Sequence, residues 1–263
     1  MPNTPPIIGG CIRSLEDKRD FRILCGISRL PKSVDLRSLC SPVENQRHLN
    51  SCTANACVGA MEMLEKKQNI KQLDLSRLYV YYNTRLLDNS INKDAGAYMG
   101  SAMKAIRQNG ACLESMWPYD PSKVFNKPTQ KCYSDGARRQ SVEYARVNQG
   151  YSVRTALAEG FPVVFGMMLT ESFNHVAGKT GIAPMPKKNA ALLGGHAMLI
   201  VGYDINKKMY LVRNSWGKRW GKKGYCYIPF AMIDNPKMSW DFWVVRSIED
   251  PENTYKIHRP NKS

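Results

Sequence analysis

The sequence predicts an α+β fold in which helices dominate the N-terminal half and an antiparallel sheet the C-terminal half. In the first half, apolar residues recur at spacings of three and four, which is typical of helices with one buried face. After Gly194 the pattern changes to short β-branched and aromatic runs separated by Gly, Asn, Asp and Lys turns. This segregation predicts two lobes with a cleft between them.

Four helices are predicted, in chain order. The first begins after a cap at Ser51 or Asn50 and runs to about Lys67. The second covers LSRLYVYYNTRLL with Ser76 as its cap, and the third covers MGSAMKAIRQNG and stops at Gly110. A short fourth helix, SVRTALAEG, leads into the strand-like PVVFGMML. The later strands are HAMLIVGYD, KMYLVRNSW, GYCYIPF and DFWVVRS.

Composition excludes several classes of protein. The formal charge of +16, from 38 Lys and Arg against 22 Asp and Glu, is spread over short groups, so we expect weak polyanion binding but no specific nucleic acid. No apolar run approaches the roughly 18 residues of a membrane span, and no secretory signal precedes LPKSVDLRS. We therefore expect a monomer without membrane contact in an intracellular setting. A virion, a host-cell compartment and non-classical export are the alternatives.

Two cysteines near the start of the first helix differ in their expected chemistry. Cys52 lies at the helix N-terminus, where the helix dipole and a nearby imidazolium would favour the reactive thiolate. Cys57 falls on the apolar stripe and is expected to be a buried filler. The eight cysteines include no CxxC pair, and no second ligand pair accompanies His48 and Cys52, so we expect no metal and no cofactor.

One of the four histidines is a candidate partner for Cys52. His48 lies in a loop, His175 in a polar segment and His258 in a basic tail, whereas His196 opens an apolar strand after two glycines. A lone strand histidine is usually structural. However, Asn214 follows in the next predicted strand, and its side-chain oxygen could accept the ring N–H and fix the tautomer.

Four segments in order then resemble the papain-like cysteine peptidases. They are LPKSVDLRS, GSAMKAIRQNGACLESMWPYD, GGHAMLIVGYD and NSWGKRWGKKGY, and together they span about 30–246. The resemblance implies a two-lobed peptidase domain at 30–250, with a helical lobe at about 45–135 and a β-rich lobe at about 136–250. An N-terminal arm at 1–29 and a basic tail at 251–263 flank it.

The resemblance also implies a role for individual residues in cleaving a polypeptide substrate. Cys52 would be the nucleophile, His196 the acid and base, and Asn214 the residue that orients the ring. Trp216 would shield that hydrogen bond, and the Gln46 amide would complete the oxyanion hole. The backbone that pairs with the substrate would come from Gly96, Ala97 and Gly195.

Two departures from the family pattern stand out. Leu49-Asn50-Ser51-Cys52-Thr53 replaces the usual Cys-Gly-Ser-Cys-Trp, and KDAGAY also lacks the partner cysteine, so something other than a disulfide must hold the RHLN loop. This suits a reducing compartment. In addition, only about 30 residues precede the peptidase pattern, and IIGGCIRSLEDKRDFRIL is either an autoinhibitory arm in the cleft or a segment packed behind a lobe.

The residues leave three other functions open. Another acyl transfer, such as deamidation or transglutamination, could use the same side chains. A catalytically silent relative could grip peptides in its cleft, although all of the expected reactive residues are present. A nucleic-acid-binding protein would need an interleaved basic and aromatic patch, which the sequence does not show.

Overall fold

A computed structural model describes residues 9–15, 20 and 29–248 of the chain. The helices are α1 (Cys52–Lys67), α2 (Arg77–Leu87), α3 (Met99–Gln108), α4 (Gln130–Gly136), α5 (Tyr151–Ala158), α6 (Gly178–Thr180) and α7 (Phe230–Ile233). The strands are β1 (Cys11–Ile12), β2 (Ser33–Asp35), β3 (Ala97–Tyr98), β4 (Ser141–Arg146), β5 (Val163–Thr170), β6 (Leu192–Asp204), β7 (Met209–Arg213), β8 (Tyr225–Pro229) and β9 (Ser239–Ile248). Within the described ranges, no helix is long and apolar enough to cross a membrane.

The large sheet is antiparallel and has the strand order β4-β9-β5-β6-β7-β8, with β2 also paired to β6. Strand β6 is the longest strand and is almost entirely buried from Gly195 onward, because neighbours cover it on both edges and both faces. A second, two-stranded sheet joins β1 and β3 in parallel. The predicted α+β, two-lobed fold is confirmed.

Two hydrophobic clusters lie on opposite faces of the large sheet. The first joins α1, α2 and α3 to side chains such as Leu199 and Val201 of β6. The second joins α5 and β5 to Met198 and Ile200, the alternate residues of the same strand. Because strand side chains alternate between faces, β6 serves both cores and its start lies at the junction between them.

The predicted helix boundaries are close to the observed ones, but the two cap predictions differ in outcome. Ser76 caps α2 by accepting a hydrogen bond from the Tyr79 amide, 3.1 Å away. Ser51 holds the cap position of α1, yet its hydroxyl forms a hydrogen bond with the Tyr119 hydroxyl at 2.5 Å and none with a backbone amide of the helix.

The predicted basic tail at 251–263, with His258, lies outside the described residues.

Candidate active site

Cys52 is the first residue of α1, and its thiol is completely buried where the helix meets β6. Backbone amides of Thr53 and of Ala197, the residue after His196, hydrogen bond the sulfur. The structure therefore brings the helix start and the start of β6 together, as their predicted roles require. Cys57 is also fully buried, on the apolar face of the same helix, which agrees with its prediction as a filler.

His196 and Asn214 lie side by side because β6 and β7 are neighbouring antiparallel strands. The Nε2 atom of His196 lies 2.8 Å from the Asn214 Oδ1 atom, while the buried Nδ1 atom has no hydrogen-bond partner among the described residues. An amide oxygen only accepts, so Nε2 carries the hydrogen in the neutral ring and Nδ1 presents a lone pair. The free nitrogen is thus ready to accept a proton.

Trp216 lies over the His196 ring. Its ring stacks on the imidazole of His196 with the centroids 4.5 Å apart and the planes 28° apart. Trp220 packs edge-on against Trp216 at 5.2 Å, and Phe173 stacks on Trp220 at 5.8 Å. This aromatic stack keeps water away from the imidazole and its bond to Asn214.

Gln46 is fully buried, and its side chain is held at both ends. Its Nε2 atom donates to the Leu49 carbonyl at 2.9 Å, and its Oε1 atom accepts from the Ser215 hydroxyl at 2.5 Å. Tyr119 donates to the Gln46 carbonyl at 2.9 Å. The amide nitrogen has a second hydrogen, which remains for an oxyanion. Sequence reasoning missed Ser215 and Tyr119, although Ser215 directly follows the orienting asparagine.

Burial keeps both central groups neutral in this state. It raises the pKa of the Cys52 thiol to about 12, against the opposing effect of hydrogen bonds from backbone amides. It lowers the pKa of the His196 imidazole to about 4, against the opposing effect of the bond to Asn214. Burial therefore disfavours the thiolate–imidazolium pair in this state.

The burial of this site comes in part from the N-terminal arm, which lies in the cleft. Strand β1 pairs with β3, and the Ala97 amide donates to the Gly10 carbonyl at 3.0 Å. The Gly9 amide donates to the Gly195 carbonyl at 3.1 Å. The backbone groups predicted to hold substrate, at Ala97 and Gly195, are therefore bonded to the arm.

The arm approaches so closely that only glycine fits at its centre. A Cβ atom at Gly10 would lie 2.5 Å from the Asn50 carbonyl oxygen and 2.9 Å from the Cys52 sulfur. On the opposite wall, a Cβ atom at Gly195 would lie 2.1 Å from the Cys11 carbonyl oxygen. None of these three distances is found for real Cβ atoms, so both glycines are needed for this contact.

Further contacts fasten the arm beyond Cys11. The Ser14 amide donates to the Asp241 carboxylate at 2.6 Å, and the Gly100 amide donates to the Ser14 hydroxyl at 3.0 Å. Asp20 forms an ion pair with Arg146 at 2.6 Å. Of the two arm placements that the sequence left open, residues 9–11 occupy the one in the cleft, while Ser14 and Asp20 continue along Asp241 and Arg146.

The loop before Cys52, for which the sequence predicts no disulfide, is held by a carboxylate. Asp94 accepts hydrogen bonds from the Asn50 amide at 3.1 and 3.2 Å, and its own carbonyl accepts from the Asn50 side chain at 2.7 Å. Tyr81 donates to the same carboxylate at 2.6 Å. We call Asn50, Tyr81 and Asp94 the loop clamp. All seven cysteines in the described part of the chain are free thiols.

Comparisons with known proteins agree with this geometry. Residues 30–236 match the model of the papain family cysteine proteases. An uncharacterized peptidase C1-like protein of Acanthamoeba polyphaga mimivirus is 37% identical over 92% of this chain and 88% of its own length. The crystal structure of xylellain, a cysteine protease from Xylella fastidiosa, is 33% identical, covers 94% of this chain and 99% of its own, and superimposes with a TM-score of 0.85.

A more distant structure has the same fold. Digestive procathepsin L 3 of Tenebrio molitor larval midgut is 22% identical, covers 85% of this chain and 74% of its own, and has a TM-score of 0.66. The chain belongs to the papain family of cysteine proteases, and it is a thiol-dependent hydrolase of that class.

Proposed function

We propose that this protein hydrolyses peptide bonds through an acyl-enzyme formed on Cys52. The observation that carries the proposal is the arrangement around His196, whose Nε2 atom is bound by Asn214 at 2.8 Å while Nδ1 remains free beside the nucleophile's helix. A bound Nε2 atom and a free Nδ1 atom are what a histidine needs to take a proton from a thiol and later return it.

In the proposed reaction, His196 takes the thiol proton and the Cys52 thiolate attacks the scissile carbonyl carbon. The oxyanion accepts hydrogen bonds from the Cys52 amide and from the remaining N–H of Gln46. The imidazolium then gives its proton to the leaving amine, and the carbon–nitrogen bond breaks. Water, deprotonated by His196, hydrolyses the resulting thioester and restores the thiol.

We also propose that the N-terminal arm is an intramolecular inhibitor. Its support is steric and electrostatic: Gly10 lies against the Cys52 sulfur, and the arm engages the backbone groups of Ala97 and Gly195. While the arm is bound, burial disfavours the thiolate and the imidazolium together. Displacing the arm lets water reach both groups, which lowers the Cys52 pKa and raises that of His196.

Labelling with a peptide vinyl sulfone, followed by mapping of the modified residue, tests the catalytic assignment. We expect selective modification of Cys52 that is lost in His196→Ala, and Cys57→Ala serves as the matched control because Cys57 is equally buried in the same helix. Equal modification of several cysteines would contradict the assignment. Mass analysis of a cleaved peptide separates hydrolysis from deamidation, because only deamidation releases ammonia from a side-chain amide.

A further inference from the structure

A group of basic side chains lies on the rim of the site next to the aromatic stack. These residues, which we call the basic rim, are Lys179, Lys218, Arg219, Lys222 and Lys223, and all are exposed. Within the part of the chain that the structure describes, none of them forms an ion pair. Their charges are therefore available to a partner.

Backbone contacts show that the rim is one continuous surface. The Gly221 amide donates to the Gly178 carbonyl at 2.8 Å, which joins the loop of Lys222 to the turn of Lys179. The Lys222 ammonium lies 5.5 Å from the centre of the Tyr227 ring. Lys218 and Arg219 occupy the loop between Trp216 and Trp220.

An acidic residue adjoins this surface, since the Gly217 amide donates to the Glu44 carbonyl at 2.8 Å, but the Glu44 carboxylate lies 3.9 Å from Arg77 and is partly neutralised there. Between Glu171 and Asp234 the sequence contains a single acid, Asp204, which lies at the far end of β6 and pairs with Lys207 at 3.2 Å. Glu171 lies 3.6 Å from His175. Such an uncompensated patch beside a cleft raises the local concentration of anionic ligands.

The rim and the arm lie on different sides of the catalytic pair. From Gly10 onward the arm extends along Ala97, Gly100 and Asp241. The rim surrounds Trp216, which stacks on His196 at 4.5 Å. Substrate residues on the arm's side would therefore not meet the rim, whereas residues that pass over the imidazole would.

The chemistry of the proposed reaction indicates which part of a substrate meets the rim. The leaving amine must take its proton from Nδ1 of His196, because Nε2 is bound to Asn214. The chain that follows the cleaved bond therefore leaves over the imidazole and Trp216.

We infer that the protein prefers polypeptides with acidic residues after the cleaved bond, which the basic rim binds. This inference rests on the proposed peptidase function and adds a substrate class to it. The attraction is between exposed charges, so it should weaken as ionic strength rises.

The test compares three internally quenched peptides with the full chain. The sequence before the cleaved bond is the same in all three and is taken from a peptide that the protein cleaves. After the cleaved bond they carry four glutamates, four glutamines or four lysines. We expect kcat/KM for the glutamate peptide to exceed that for the glutamine peptide by about tenfold at low salt. The preference should disappear in Lys218→Glu/Arg219→Glu and at high salt.

The control is Lys131→Glu/Arg138→Glu, which makes the same charge change on exposed residues in and after α4, in the helical lobe. It should keep the preference, since its charges are remote from the rim. Equal cleavage of the three peptides by the natural chain would overturn the inference while leaving the peptidase function in place. Failure of both the natural chain and Gly10→Val, a substitution chosen to displace the arm, to cleave any peptide would instead count against the proposed function.

A binding measurement gives a readout that does not need turnover. Fluorescence anisotropy of a dye-labelled tetraglutamate peptide should show binding to the natural chain that Lys218→Glu/Arg219→Glu abolishes and the control variant retains. A single-stranded oligonucleotide is measured in parallel. If it binds the rim and the glutamate peptide does not, the partner is a nucleic acid and the inference is wrong.

Discussion

Replacing Gly10 by valine should release the arm from the cleft and activate the full-length protein. The new Cβ atom would lie 2.5 Å from the Asn50 carbonyl oxygen and 2.9 Å from the Cys52 sulfur. Asn50 cannot move aside easily, because its amide and side chain are bonded to Asp94. We expect the arm to yield instead, because it is a segment outside the helices of the core, whereas Asn50 directly precedes α1.

The size of the effect follows from the packing. Forcing extra methyl groups into a filled site costs about 1–3 kcal/mol. That range shifts an equilibrium between closed and open forms by about 5–150-fold. We expect the upper part of this range, because the atom that the valine meets belongs to the backbone of a clamped loop. The increase should appear in kcat/KM for a fluorogenic peptide.

Two controls accompany this measurement. Leu15→Ala alters an arm residue whose side chain is 91% exposed, so it should leave kcat/KM unchanged. The melting temperature of Gly10→Val shows whether the domain remains folded. If Gly10→Val is folded and its rates of peptide hydrolysis and of Cys52 alkylation equal those of the natural chain, the idea that the arm inhibits is refuted.

Three further predictions concern the site itself. Gln46→Ala should lower kcat by about 10²–10³-fold in the peptidase assay, because it removes an oxyanion donor; an unchanged kcat would exclude that role. Asp94→Asn should lower the free energy of unfolding, measured with denaturant, by about 1.5–3 kcal/mol, which is the contribution of a hydrogen bond to a charged group. Dithiothreitol should change the free energy of unfolding of neither the natural chain nor Asp94→Asn. Alkylation of Cys52 should be slow at neutral pH and rise with pH toward its pKa of about 12 while the arm is bound, since only the thiolate reacts. Gly10→Val should move that rise to lower pH, and identical pH profiles would argue against arm control of the thiol.

The placement of Cys52 at a helix start and of His196 beside Asn214 was predictable, because each depends on features that are local in the sequence; their catalytic roles stay predictions. The cap position and the apolar period fix where α1 starts, which places Cys52 at a helix end. Two successive antiparallel strands set His196 beside Asn214, and their separation along the chain is short. Neither inference needed knowledge of how the two lobes pack.

The loop clamp could not be predicted, because it depends on a contact between distant segments. Asn50 and Asp94 are 44 residues apart. The resemblance indicated that the loop before Cys52 and KDAGAY lie together, but it did not indicate that Asp94 holds Asn50. The sequence showed only that a disulfide was missing. The strand β4 was also missed, since SVEYAR has a mixed pattern and is recognised only by its pairing with β9. The intracellular setting stays a prediction.

The two departures from the family pattern meet at one residue. Asn50 binds the clamp through its amide and side chain, and its carbonyl oxygen forms the surface against which Gly10 packs. The clamp therefore supports the oxyanion region and the seat of the arm together. With a disulfide in place of the clamp, the rigidity of the oxyanion region and of the surface that Gly10 packs against would depend on oxidation. A carboxylate clamp lets a protein with free thiols keep the loop before Cys52 rigid, and under the proposed inhibition the arm then controls activity.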